Sequence, residues 1–270
     1  MGKHVFLSYA TAAFAGNCGA LCQSALEAGF DQAIAMGPED IRGSDFWRAN
    51  SGILEQPRGA GYWLWKPYLI GEVLKTLSPG DVLVYCDAGR SGYYRFRAFP
   101  HALVDLALRS GQGFLLGPAL AQHGPLSRWT KRDCLILMQS DRPEFLRRPL
   151  IQATWSIWTT RPGAMEFLAA WLSFCLDRRC LTDEANSLGT PNHAGFRDHR
   201  HDQSILTLLA YRTGAPYLDF SGRLGVKLLS LRPRSQLAHL FLKRIGDCES
   251  LASSRLSLLP LVRALAEMPR

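Results

Sequence analysis

The chain has 270 residues, with 31 Lys and Arg against 23 Asp and Glu for a net charge of +8, and 47% hydrophobic against 20% charged residues. This is the balance of a globular protein, not of a disordered, collagenous or coiled-coil chain. The length allows one large domain or two small ones, and seven Trp and thirteen Phe give either a bulky core.

His4 to Tyr9 (His-Val-Phe-Leu-Ser-Tyr) reads as a first strand. After a small-residue loop from Ala10 to Gly19, a helix is expected around Leu21, Ala25 and Ala28, closed by Gly29. Ala33 to Met36, bounded by Gly37 and Pro38, reads as a second strand. Strand, helix and strand in the first 36 residues open an α/β fold. Pro67 should begin the next helix, because the missing N–H costs nothing in a first turn. Leu69, Ile70, Val73, Leu74 and Leu77 give that helix one apolar face, and Ser78-Pro-Gly80 stops it. Asp81 to Cys86 is almost continuously apolar, as in a strand buried on both faces, and ends at Asp87-Ala-Gly89.

Gly113 to Gly117 is a further buried-strand candidate. Thr130 and Asp133 have the spacing of a helix N-cap and its acidic partner three residues on. Gln152 to Thr160 is β-rich, and Met165 to Leu176 is helical with Phe167, Leu168, Trp171, Leu172 and Cys175 inward. A polar stretch from Asp177 to Arg200 precedes a helix starting at Asp202 or Gln203. From Lys227 to Arg270 the chain turns basic, with eight Lys and Arg against three Asp and Glu, so +5 of the total +8 lies here. Its apolar residues recur at helical spacing (Leu237, Leu240, Phe241; Leu256, Leu259, Leu261, Val262, Leu265). Two units are therefore expected, a catalytic domain over 1–226 and a basic amphipathic helical segment over 227–270.

No apolar run approaches the ~18–20 residues of a membrane span. The opening Met-Gly-Lys-His lacks signal-peptide features, and Phe6 stands where myristoylation wants Ser or Thr. Seven scattered cysteines with no CxxC pair read as reduced and buried, and a cytoplasmic location is expected.

Phosphate-loop, dinucleotide-fingerprint, nucleophile-elbow and HExxH motifs are absent. Two stretches carry chemistry. Asp87, at the end of a buried strand, lies where open α/β sheets bind ligands, and its carboxylate could hold a divalent cation or a ribose hydroxyl. The bland alternative is a loop cap. The second stretch, Asn192 to Gln203, packs three His and two Asp into the ten residues from His193 to Asp202. It reads as an active-site loop, as a metal centre, or as a solvated loop with Asp202 capping the next helix.

Four segments fall in order: Gly59-Ala-Gly-Tyr-Trp-Leu-Trp-Lys-Pro-Tyr68, Asp81 to Gly89, Trp129-Thr-Lys-Arg-Asp133, and His201-Asp-Gln-Ser-Ile-Leu206. Together they resemble a family of bacterial glycosyltransferase-like proteins of the nucleotide-diphospho-sugar transferase superfamily, over roughly residues 4–220. The resemblance implies a GT-A-type, Rossmann-like mixed sheet flanked by helices, distantly similar to retaining family 8 galactosyltransferases. It places Asp87 at the first Asp of an Asp-x-Asp motif, with Gly89 in place of the second. Asp87 is thus the candidate ligand for Mn²⁺ or Mg²⁺, and Gly89 puts that metal in doubt. Asp202 and Gln203 match a stretch beside the donor sugar and are the candidate catalytic pair. Lys66 and His201 join Asp87 and Gly89 as candidate donor-binding residues, Lys66 next to a helix N-terminus suited to a diphosphate.

The implied activity moves a sugar from a nucleotide-diphospho sugar, a UDP-sugar first, to a glycan or lipid-linked acceptor in surface polysaccharide or lipopolysaccharide synthesis. The rival is a noncatalytic nucleotide-sugar or glycan-binding module of the same fold. The basic tail suggests peripheral docking on the anionic inner face of the membrane. No basic block or aromatic–basic repeat favours nucleic acid.

Overall fold

The structure is a computed structural model that describes residues 2–89, 95–119 and 121–219. Its strands are β1 (His4–Tyr9), β2 (Gln32–Met36), β3 (Val82–Cys86), β4 (Phe114–Ala119), β5 (Trp155–Thr159) and β6 (Tyr217–Asp219). They form one sheet in the order β2-β1-β3-β5-β4-β6. Only β5 runs antiparallel to its neighbours, β3 and β4; the other pairings are parallel. The α/β class and the mixed sheet flanked by helices agree with the sequence reading.

The helices are α1 (Ala15–Glu27), α2 (Asp45–Leu54), α3 (Gly59–Tyr62), α4 (Trp65–Lys75), α5 (His101–Arg109), α6 (Arg132–Leu137), α7 (Pro143–Leu146), α8 (Pro162–Leu176), α9 (Arg178–Leu181) and α10 (His201–Thr213). Alternate strand residues point to opposite faces of a sheet, and both faces here are covered. Phe6, Val82, Val84, Cys86, Leu115 and Ile157 pack under α1 and α5. Val5, Leu7, Leu83, Tyr85, Phe114, Leu116 and Trp158 form a larger layer with α4, α8 and α10. In that layer Trp158 stacks on Phe114, at 5.0 Å between centroids, and on Trp171 of α8 at 6.5 Å. Burial on two faces explains why β3 reads as an almost continuous apolar run.

Three local expectations change. Helix α4 begins at Trp65, so Pro67 lies inside its first turn instead of opening it. Thr130 caps nothing: Lys131 is the N-cap of α6, and Asp133 spends its carboxylate on the loop after α9. Asp202 is not a cap either; Arg200 is the N-cap of α10, and Asp202 sits buried inside the helix. The boundary at residue 226 and the basic segment 227–270, with Leu237, Leu240 and Phe241, lie outside the described residues.

Candidate active site

The parallel strands β1, β3 and β4 end at one edge of the sheet, where the antiparallel β5 begins. Ligands of open α/β sheets bind outside the carboxyl ends of such strands. Asp87 follows β3 there, its backbone N–H donating to the Thr154 carbonyl at 2.8 Å. Three stretches distant in sequence meet at this edge.

Lys66 is the centre of the meeting. Its side chain is 2% exposed, with Nζ 3.1 Å from Asp87 Oδ1 and 3.3 Å from Asp202 Oδ2. It also donates to the Ala153 carbonyl at 3.2 Å. The second contact is an ion pair without hydrogen-bond alignment, since Asp202 Oδ2 has no hydrogen-bond partner among the described residues. Tyr85 donates its hydroxyl to Asp87 Oδ1 at 2.5 Å. That carboxylate oxygen therefore takes one hydrogen bond and one ion pair. Asp87 keeps 29% of its side chain exposed, against 4% for Asp202, so Asp87 is the member of the trio that reaches solvent.

The electrostatics follow from burial and charge count. Burial opposes the Lys66 charge, but Asp202 and Asp87 outweigh it and hold the ammonium protonated beyond its ordinary range. Asp202 is pushed up to about 6, chiefly by burial and further by Asp87, with Lys66 pulling the other way. Burial and the neighbouring Asp87 raise Tyr85 well above a normal phenol, which keeps it a donor. One ammonium between two carboxylates leaves a net charge of −1 when all three are ionised.

Local sequence explains how each group is held. Residues 59 to 63 all have positive φ, between 50° and 95°. They make a left-handed turn whose N–H groups at Tyr62 and Trp63 reach the carbonyls of Arg58 (2.7 Å) and Gly59 (3.2 Å). Gly61 is required twice over: its φ is +95°, and a Cβ there would lie 2.6 Å from the Leu54 Cα. Ala60, Tyr62 and Trp63 adopt the same conformation at a cost of about 1–2 kcal/mol each. The turn delivers Trp65 onto Tyr9, stacked at 3.7 Å, and drives Lys66 inward at the start of α4. Strain of this kind gathers at functional sites.

Asp202 is fixed by what surrounds α10. Trp171 Nε1 donates to the Asp202 carbonyl at 3.0 Å, Ser204 to the Trp129 carbonyl at 2.8 Å, and Thr207 Oγ1 accepts from the Ile151 N–H at 3.0 Å. Gln203 is half-buried next to it, its side-chain amide unbonded among the described residues. His201 also has positive φ, at 50°, and its buried ring lies against Tyr62 and Trp63. Its Nδ1–H donates to the Leu181 carbonyl at 2.9 Å, and burial lowers its basicity. Gly89 has φ +68° and accepts from Asn17 Nδ2 at 3.1 Å.

The histidine-dense stretch does not act as a unit. His193 pairs with Asp141 at 2.6 Å. His199 is buried, accepts from the Lys131 N–H and donates to the Cys180 carbonyl, and burial keeps it neutral. Among the described residues no three His, Cys, Asp or Glu side chains converge as a metal-binding group. Asp87 Oδ1 and Asp202 Oδ2 both lie against the Lys66 ammonium. Those oxygens do not fit a divalent ion between them while Lys66 is there. The signal missed in the sequence was Tyr85, read as a core residue of β3, and the pairing of Lys66 with Asp202.

No family model matches the chain, and no curated protein does. Among solved structures it is similar to the apo structure of the bifunctional glycosyltransferase WbbM. That match has 12% identity and a TM-score of 0.47, and covers 81% of this chain but 38% of that one. It is similar also to the apo form of mouse xyloside xylosyltransferase 1, with 10% identity and a TM-score of 0.43, over 80% of this chain and 84% of that one. The chain thus spans well under half the length of the WbbM chain.

Proposed function

We propose that the chain is a glycosyltransferase that moves a sugar from a nucleotide-diphospho sugar, a UDP-sugar first, to a glycan or glycolipid acceptor. The observation that carries the reading is the meeting of Lys66, Asp87 and Asp202 at the ligand-binding edge of the sheet. These are residues of three of the four segments on which the sequence resemblance rests.

The roles follow from charge and exposure. Glycosyl transfer develops positive charge on the sugar ring and negative charge on the leaving diphosphate. A site of net −1 suits the sugar side. Asp87, the exposed member, accepts donor hydroxyls. Asp202 and Gln203 support the developing sugar cation. Lys66 is a positioning residue, because both carboxylates and a carbonyl already engage its ammonium. This differs from the sequence expectation that Lys66 would itself neutralise the diphosphate.

Surface polysaccharide synthesis and docking of the 227–270 segment on anionic lipid complete the proposal. No helix among the described residues is long and apolar enough to cross a membrane. Gly89, in place of a second Asp, favours one alternative, a nucleotide-sugar-binding module without turnover. A thermal-shift screen against UDP-, GDP- and CDP-sugars tests binding, since a ligand of the folded state raises the midpoint by mass action. A donor that binds but is neither transferred nor hydrolysed would decide for the module, and no shift with any donor would end both readings.

A further inference from the structure

The buried trio has the form of a cation site whose cation is already present. Two carboxylate oxygens, Asp87 Oδ1 and Asp202 Oδ2, and one carbonyl, Ala153 O, surround a single nitrogen at 3.1, 3.3 and 3.2 Å. All three donors are hard oxygens, the type that binds Mg²⁺ or Mn²⁺. A divalent ion would bind them at ~2.0–2.4 Å. It cannot do so with the ammonium among them. The ammonium cannot easily leave, because Lys66 is 2% exposed, on a helix anchored by the Trp65–Tyr9 stack and the left-handed turn. Moving it out would leave two carboxylates facing one another below the surface, a costly arrangement.

What remains of Asp87 is a single oxygen. Its Oδ1 already takes Tyr85 and Lys66, and only Oδ2 accepts no hydrogen bond from a described residue. One carboxylate oxygen is a poor basis for a hard cation, which seeks six or more oxygens. Gly89, two residues on, offers a carbonyl already bonded to Asn17 and no side chain.

We propose that the Lys66 ammonium is the resident cation of this site, standing where a divalent metal would stand between Asp87 and Asp202, and that the chain binds its donor without a metal. The proposal rests on the glycosyltransferase reading for its second half only. The first half concerns the trio alone.

The two halves are tested separately. For the first, the wild-type protein and its Asp87→Asn and Asp202→Asn variants are titrated with Mn²⁺ alone, and free Mn²⁺ is read by electron paramagnetic resonance. Wild type should take up no more Mn²⁺ than the variants. Uptake of one equivalent by wild type that is lost in either variant overturns the proposal, and using two variants guards against one failing to fold. For the second half, UDP affinity is measured in EDTA and in Mn²⁺. The two values should agree within about twofold. A loss of roughly tenfold or more in EDTA, ~1.4 kcal/mol, overturns the metal-free donor binding. Absence of UDP binding in both conditions would count against the glycosyltransferase reading and with it the second half, while the Mn²⁺ titration still decides the first.

Discussion

Lys66 and Lys131 are both buried, at 2% and 3% exposure, and the chain treats them in opposite ways. Lys66 meets two carboxylates at the ligand-binding edge. Lys131 meets main-chain carbonyls, donating to Thr182 at 3.3 Å and Glu184 at 2.6 Å, while its own N–H donates to His199. Around Lys131, Asp133 accepts from the Ser187 N–H and hydroxyl and the Leu188 N–H, and Arg132 N–H donates to Asn192. That region is a clamp that gives the long polar segment after α9 a fixed shape without helix or strand. A carbonyl has no charge to lose or gain, so the clamp has little to offer a reaction. The Lys66 region concentrates charge, strained backbone and one partly exposed carboxylate. The partner of a buried lysine separates a strut from a site.

The largest effect should come from replacing each lysine by methionine. Lys66→Met leaves two carboxylates without their cation, a loss of about 3–5 kcal/mol in urea unfolding. Lys131→Met removes charged-donor hydrogen bonds to carbonyls and should cost about 1.5–3 kcal/mol. Equal losses would erase the distinction between the two regions. Next in size, Asp133→Ala frees the Ser187 and Leu188 donors and should cost about 2–3 kcal/mol. It should sharpen proteolytic cleavage within 182–200 while leaving donor affinity within about twofold.

A third expectation concerns pH. Asp202 titrates higher in the folded chain than in the unfolded one, up to about 6 from the ordinary carboxylate value of 3.8. The folded state therefore binds the extra proton, and the stabilisation is fully present below pH 3.8 and lost as pH rises through 6. Relative to Asp202→Asn, the wild type should lose on the order of 1–3 kcal/mol between pH 4 and pH 7. Parallel stability curves for the two proteins would show that Asp202 is not raised. Smallest, Ala60→Gly relieves a non-glycine left-handed residue and should raise stability by about 0.5–1 kcal/mol; a destabilised variant would mean the turn carries no strain at Ala60.

The same contrast shows what was legible in the sequence. Strand β1 was, from its β-rich residues, and β3 was, because burial on two faces writes an almost unbroken apolar run. Asp87 was, because it ends such a run. The turn from Gly59 to Trp63 was not, because nothing local says that Ala60, Tyr62 and Trp63 join the two glycines in the left-handed region. Thr130 and Asp133 have true capping spacing; the loop from Ser187 claims Asp133 through tertiary contacts that no short window contains. Asp202 likewise looked like a cap, since its partner Lys66 lies in a different segment. The histidine-dense stretch stood out as chemical, and its His199 proves to be a buried hydrogen-bonding strut.

The most direct test of the central claim is donor turnover by three proteins, wild type, Asp87→Asn and Lys131→Met, each confirmed folded by circular dichroism. Hydrolysis or transfer of the best-binding nucleotide sugar is followed by release of the nucleoside diphosphate. The account predicts turnover in wild type and in Lys131→Met, and a loss of at least about a hundredfold in Asp87→Asn, the size expected when a group that stabilises the transition state is removed. Wild-type turnover in Asp87→Asn would contradict it.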